Sequence, residues 1–228
     1  MIAKWIVPAV LLMVQVLPLH AEGTKDPIRK LKLDATMEME VLYSSPKGLP
    51  PYPLALMLPG GPGQIEQARG SLNRFAAGFN RLGYCVVVPI SKDDKGFVGE
   101  KAALILKLHD KLKSDRNINA KRTLLGGVSR GGAASLEIAA LDPPRFKGLM
   151  LVPGVFYSGN DVKAAYTNMP VFLRIGADDN LKWNEQYPNV VERLKTSGAI
   201  VDGKILPNQG HVFELGWSEV AAWLKTIK

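Results

Sequence analysis

Short apolar segments alternate with longer amphipathic segments along most of this chain, and this alternation constrains the fold more than any other feature. The strand-like segments are 35–43, 54–58, 84–90, 122–129, 148–155, 171–176 and 199–207, and the helix-like segments are 65–83, 98–115, 131–142, 184–198 and 218–227. Strands that are separated by single helices predict a parallel sheet with helices on both faces. The first strand-like segment alternates polar and apolar residues, which is typical of an antiparallel strand with one face in water. We therefore expect an α/β fold.

The N-terminus has the features of a secretory signal, because Lys4 precedes an apolar run that ends near the small residue Ala21. We expect residues 1–21 to be a signal peptide and residues 22–228 to form a single domain, since no repeat, linker or low-complexity tract divides the chain. The alternative is an uncleaved membrane anchor, which the short run and its interruption by Pro8 disfavour. A cleaved signal implies a secreted or periplasmic protein with no stable membrane span.

The charge and cysteine content exclude several functions. The formal net charge is +8, and loss of Lys4 with the leader lowers it to +7, which favours affinity for anionic surfaces. No nucleic-acid partner is expected, because the chain has no run of consecutive basic residues and no basic motif interleaved with aromatic residues. Segment 28–34, "IRKLKLD", is expected to be a solvated tail or sheet edge. The single cysteine, Cys85, excludes an intrachain disulfide, and its apolar neighbours predict a buried, inert thiol.

The segment "GGVSRGG" places Ser129 between a predicted strand and a predicted helix. In a G-x-S-x-G turn the chain bends sharply, and glycines at the positions of Gly127 and Gly131 avoid collisions that larger residues would make. The turn exposes the serine hydroxyl above the sheet and places the N–H of Arg130 at a helix N-terminus, where donors are free. We therefore expect Ser129 to be a nucleophile. The alternative is an ordinary serine in a glycine-rich turn, since the motif alone also occurs by chance.

A serine nucleophile needs a base, and the chain contains three histidines. His20 lies in the presumed signal. His109 lies between charged residues on a predicted helix, and we expect its side chain to be solvated. His211 follows the last predicted strand and precedes the last helix, in the loop "PNQGHVFELGW". By elimination, His211 is the predicted base.

The base needs a carboxylate to orient it. The segment "VFLRIGADDNL" leaves a strand through Gly176 and delivers Asp178 and Asp179 to the same sheet edge. We expect Asp179 to be the acid, with Asp178 as the close alternative and Asp161 as a more distant one. The expected chain order is therefore serine, acid, histidine.

An oxyanion that forms during acyl transfer needs hydrogen-bond donors. The N–H of Arg130 is one candidate. The segment "LMLPGGPGQ" follows an early strand and offers another, and Gly61 is preferred there because Pro62 has no N–H to donate. The alternative for this segment is a rigid turn without chemistry.

Taken together, these motifs resemble the α/β-hydrolase fold family over nearly the whole chain after residue 21. The resemblance implies an eight-stranded, mostly parallel sheet flanked by helices, without a large cap domain, and a triad of Ser129, Asp179 and His211. The "GxSxGG" form is similar to esterase-like, dienelactone-hydrolase-like and prolyl-oligopeptidase-like branches. One departure is Pro59, since many members have histidine in that place. The "GGPG" part resembles proline iminopeptidases, whose helical cap this chain is too short to hold.

The sequence thus predicts a serine hydrolase that cleaves a small or polymer-borne carboxylic ester and requires no metal or cofactor. A peptidase or thioesterase with the same triad is the second interpretation, and a catalytically silent binding protein is the third. The aromatic residues that could shape an acyl pocket or simply belong to the core are Phe156, Tyr157, Trp183 and Phe213. The oligomeric state is not predicted.

Overall fold

The computed structural model describes residues 28–157 and 165–227. They form one eight-stranded sheet with strand order β1-β2-β4-β3-β5-β6-β7-β8. The strands are β1 (Ile28–Lys32), β2 (Glu38–Ser44), β3 (Tyr52–Leu58), β4 (Cys85–Pro89), β5 (Ile118–Gly127), β6 (Gly148–Leu151), β7 (Pro170–Gly176) and β8 (Ile200–Leu206). The helices are α1 (Ile65–Arg81), α2 (Ala102–Leu112), α3 (Arg130–Leu141), α4 (Trp183–Thr196) and α5 (Trp217–Leu224). The predicted signal, residues 1–21, lies outside the described residues.

The sheet is mostly parallel, as the alternation of segments predicts. Strands β3 to β8 run in one direction, and β1 and β2 form an antiparallel extension at one side. The basic segment 28–34 contains the edge strand β1. A sheet edge is one of the two placements, tail or edge, that the sequence predicts for this segment. Because the parallel strands share a direction, the loops that follow β3, β5, β7 and β8 all leave the same edge of the sheet.

Two apolar clusters cover the two faces of the sheet. Helices α2, α3 and α4 pack on one face through residues such as Leu108, Ile138 and Leu194. Helices α1 and α5 pack on the other face through residues such as Phe79 and Val220. Successive residues of β4 contribute alternately to the two clusters, which explains why this strand is apolar at every position.

The prediction of a solvated His109 is wrong. His109 is 1% exposed, because it lies on the same face of α2 as Ile105 and Leu112 and faces the sheet. The nearby charged residues Lys107, Asp110 and Lys111 are exposed, whereas the imidazole between them in the chain is buried, so charged neighbours in the sequence do not indicate a solvated side chain here. Cys85 is buried as predicted, and burial raises the pKa of its thiol to about 11.

Within residues 28–157 and 165–227, no inserted cap domain interrupts the sheet and its helices. The connection between β6 and β7 spans residues 152–169, and residues 158–164 of it lie outside the described part. None of the described helices is long and apolar enough to cross a bilayer.

Candidate active site

The turn between β5 and α3 holds Ser129 in a conformation that few residues adopt. Its φ of 57° and ψ of −125° are unusual for a residue with a side chain and cost about 1–3 kcal/mol. A Cβ on Gly127 would lie 2.6 Å from the carbonyl carbon of Gly131, and a Cβ on Gly131 would collide with the Leu58 carbonyl oxygen. The two glycines are therefore required by the close passage of β3 and α3, as the sequence motif predicts.

Backbone hydrogen bonds fix this turn. The N–H of Ser129 donates to the Pro153 carbonyl at 3.0 Å, and the N–H of Gly131 donates to the Val128 carbonyl at 2.9 Å. The segment after β6 thus braces the serine from the side opposite β3. Because the backbone is held on both sides, the Ser129 hydroxyl has a defined position at the sheet edge.

Three side chains from three loops meet at this position. His211 Nε2 lies 2.8 Å from Ser129 Oγ, and His211 Nδ1 lies 2.8 Å from Asp179 Oδ2. The Asp179 carboxylate is fully buried, and the His211 side chain is 13% exposed. The second carboxylate oxygen of Asp179 accepts a 2.7 Å hydrogen bond from the N–H of Leu181, which fixes the orientation of the carboxylate.

The loops after β7 and β8 are packed directly against each other. The N–H of Asp178 donates to the Gln209 carbonyl at 2.8 Å, and a Cβ on Gly176 would overlap the Gly210 carbonyl. Gly176 thus permits the close approach that brings the loop of His211 to the loop of Asp179.

The structure also separates the candidate acids. Asp178 is exposed, whereas Asp179 contacts the imidazole. Asp161 lies outside the described residues. Of the two neighbouring aspartates, Asp179, the preferred candidate, is therefore the one that is hydrogen-bonded to His211.

The predicted oxyanion donors lie beside the serine. Arg130 is the first residue of α3, a position whose N–H has no partner within a helix. Gly61 has a φ of +52°, which favours glycine, in a turn closed by the 3.1 Å hydrogen bond from the Gly63 N–H to the Gly60 carbonyl. A Cβ on Gly60 would lie 3.5 Å from the Cβ of Ser129, so the turn lies directly against the serine.

The four aromatic candidates have different surroundings. Trp183 packs against the imidazole of His211 in a T-shaped arrangement with ring centroids 4.9 Å apart. Trp183, Phe156 and Phe213 are all buried in the core, and Tyr157 is 39% exposed. Trp183 therefore supports the imidazole from the core, and Phe156 and Phe213 belong to the core.

Sequence reasoning missed Arg74, which lies on α1. Its guanidinium donates a hydrogen bond to the Phe213 carbonyl and lies 5.4 Å from the centroid of the Phe213 ring. Arg74 thereby ties the loop of His211 to α1. Burial lowers the pKa of Arg74 below its usual value. The only signal in the sequence is an arginine within an amphipathic helix, and that pattern is typical of solvated residues.

No cluster of three or more His, Cys, Asp or Glu side chains in the described residues has an arrangement that could hold a metal ion. The site is instead built from one hydroxyl, one imidazole, one carboxylate and the adjacent backbone donors.

No protein-family model and no curated protein sequence matches the chain. Solved structures do match. Dipeptidyl peptidase 4 of Porphyromonas gingivalis has a TM-score of 0.72 at 16% identity, over 89% of this chain and 35% of that chain. This chain thus spans about a third of the peptidase. A dienelactone hydrolase of Anabaena variabilis has a TM-score of 0.67 at 15% identity, over 89% and 98% of the two chains. Est1E of Butyrivibrio proteoclasticus has a TM-score of 0.62 at 15% identity, over 88% and 96%. These likenesses, with the sheet order described above, show that the chain has the α/β-hydrolase fold.

Proposed function

We propose that this protein is a serine hydrolase that cleaves carboxylic esters through an acyl-enzyme intermediate. One observation carries the proposal: His211 bridges Asp179 and Ser129. Its Nδ1 lies 2.8 Å from Asp179 Oδ2, and its Nε2 lies 2.8 Å from Ser129 Oγ. Nucleophile, base and orienting acid in this arrangement are the requirements for acyl transfer by a serine.

In the proposed reaction, Ser129 Oγ attacks the ester carbonyl carbon while its proton passes to His211 Nε2. Asp179 accepts the hydrogen bond from His211 Nδ1 and favours the imidazolium. The N–H groups of Arg130 and Gly61 donate to the developing oxyanion. His211 then protonates the leaving alcohol oxygen, which leaves an acyl group on Ser129. Water, deprotonated by His211, attacks this acyl group and releases the acid, and the steps need neither metal nor cofactor.

The surroundings of the triad favour an accessible ester with an apolar part. Leu181 and Val212, which are 53% and 65% exposed, are close in the chain to Asp179 and His211. Exposed apolar side chains next to a reactive group can contact an apolar substrate group. Because the described part of the chain holds no cap domain, a small ester and an ester on a polymer are both suitable substrates.

The test is a fluorophosphonate probe together with p-nitrophenyl esters. We expect the probe to label the wild-type protein and not Ser129→Ala, and we expect the substitution to lower kcat by about a millionfold. Folded wild-type protein that the probe does not label would contradict the proposal and favour a binding protein on this fold.

A peptidase is the second candidate, because the fold is similar to that of a dipeptidyl peptidase. Aminoacyl p-nitroanilides separate the two activities. Hydrolysis of the esters supports the esterase, whereas hydrolysis of the anilides alone would overturn it in favour of the peptidase. A thioester substrate in the same assay series tests for thioesterase activity, which the same triad could also provide.

Export is a further part of the proposal, and it rests on the sequence of residues 1–21. N-terminal sequencing of the protein from a secreted or periplasmic fraction should begin near Glu22. A protein that retains Met1 in the cytoplasm would contradict export, and it would leave the proposed chemistry unaffected.

A further inference from the structure

A concave site lies at the edge of the sheet opposite Ser129. It has a volume of about 1050 Å³, and its walls come from the end of α2, the start of β5 and the turn before β6. Lys121 in this cavity and Ser129 are eight positions apart along β5 and its turn, which corresponds to about 25 Å in an extended strand. The cavity is therefore separate from the proposed active site.

The cavity is lined mainly by cations. Five basic side chains contribute to its walls, against two carboxylates, Asp115 and Asp142. The basic residues are Lys113, Arg116, Lys121, Arg145 and Lys147. A third carboxylate, Asp110, lies beside the cavity and binds Lys113 and Arg145. The net charge stays positive when Asp110 is included.

One of these cations is held in place by a buried histidine. The hydroxyl of Thr123 donates to the Ala120 carbonyl at 2.8 Å, so His109 Nε2, at 2.9 Å, must donate to the Thr123 oxygen. His109 Nδ1 then carries the lone pair that faces Arg145 Nη1 at 3.5 Å. Together with the ion pairs to Asp110 and Asp142, this contact fixes the Arg145 guanidinium in the cavity wall.

Three of the other four cations are free to bind, whereas Lys113 is paired with Asp110. Arg116, Lys121 and Lys147 are exposed and form no ion pair with any residue in the described ranges. Lys121 projects from an irregularity in β5, because the pairing with β3 passes directly from Asn119 to Thr123 and leaves residues 120–122 unpaired. The three unpaired cations thus come from three separate segments that surround one concavity.

We propose that this cavity binds a multivalent phosphate ligand. Several cations on separate walls favour an anion with more than one charged group, and arginine matches the geometry of phosphate oxygens. The lining has no Phe, Tyr or Trp on which a nucleic-acid base could stack, and its large apolar side chain, Ile118, is only 6% exposed and does not project far enough to enter a lipid surface. The phosphate groups can belong to a small free anion or to a polymer.

The test compares two triple variants that lower the net charge equally. The site variant is Arg116→Gln, Lys121→Gln, Lys147→Gln. The control variant is Lys32→Gln, Lys195→Gln, Lys225→Gln, which changes exposed lysines outside the cavity. Binding of pyrophosphate and of long-chain polyphosphate to the whole protein is measured by calorimetry in phosphate-free buffer at two salt concentrations.

We expect saturable binding to the wild-type and control proteins, and at least about tenfold weaker binding to the site variant, since the substitutions remove three charged contacts to the phosphate groups. Tight binding of pyrophosphate identifies a small anion as the source, and binding of polyphosphate alone identifies a polymer. No binding to wild type, or equal weakening in both variants, would overturn the proposal, because the second result reflects net charge alone. The esterase assay is independent of each outcome.

Discussion

Asp178 and Asp179 are neighbours in the chain, but their surroundings are opposite. Asp179 is 2% exposed and bonds to His211, whereas Asp178 is exposed and contacts the loop of His211 only through its backbone. Asp178 lies in the turn that follows β7 and faces solvent, and the next residue directs its carboxylate into the protein. From the sequence either one could orient the base, and burial in the structure distinguishes them.

The two aspartates form a matched pair for a test. We expect Asp179→Asn to lower kcat for a p-nitrophenyl ester by about 10,000-fold, because the amide no longer stabilises the imidazolium. Asp178→Asn should leave kcat close to the wild-type value. A comparable loss in both variants would show that Asp179 has no special role.

In helix α1, as in the pair of aspartates, two identical residues have opposite surroundings. The helix contains two glycines, Gly70 and Gly78, and both positions fit the helical pattern of the sequence. A Cβ on Gly78 would overlap the indole of Trp217, which begins α5, whereas a Cβ on Gly70 meets no atom within 4 Å. Gly78 therefore permits α1 and α5 to pack closely, and Gly70 has no such role.

This contrast predicts opposite effects on stability. Gly78→Ala should lower the free energy of unfolding by about 1–3 kcal/mol through overpacking. Gly70→Ala should raise it by about 0.5–1 kcal/mol, because alanine loses less backbone entropy in a helix. Urea denaturation of both variants measures the two changes. Effects of the same sign would contradict the packing that we describe between α1 and α5.

At the scale of the whole molecule, His109 couples global stability to pH. Burial, together with the nearby charges of Lys113 and Arg145, lowers the pKa of His109 from 6.5 to about 4. The unfolded chain therefore binds a proton that the folded chain does not bind in this range. Stability is complete above pH 6.5 and decreases as the pH falls towards 4.

We expect the wild-type protein to lose about 2–3 kcal/mol more of its unfolding free energy between pH 7 and pH 4.5 than His109→Gln, since each pKa unit corresponds to about 1.4 kcal/mol. Glutamine keeps a donor and an acceptor but does not titrate. Denaturant unfolding at the two pH values gives the comparison. The same pH dependence in both proteins would show that His109 is not the group responsible.

The local pattern of the sequence predicted much of the fold. The five predicted helices and seven predicted strands all occur, and differ from the structure mainly at their ends. Strand β1 is the strand that the sequence specifies least well, because its short basic segment is typical of either a tail or an edge. The strand β6 ends at Leu151, earlier than predicted, and Pro153 after it cannot donate to a neighbouring strand.

The sequence by itself determined the α/β class and the three loops that carry Ser129, Asp179 and His211, because periodicity and turn residues act within a few positions of the chain. The tertiary structure alone decided that these side chains lie at hydrogen-bond distance, that His109 is buried, and that cations from α2, β5 and the turn before β6 surround one cavity. The physical reason is that contacts between distant segments depend on how the whole sheet and its helices pack, which no local pattern specifies.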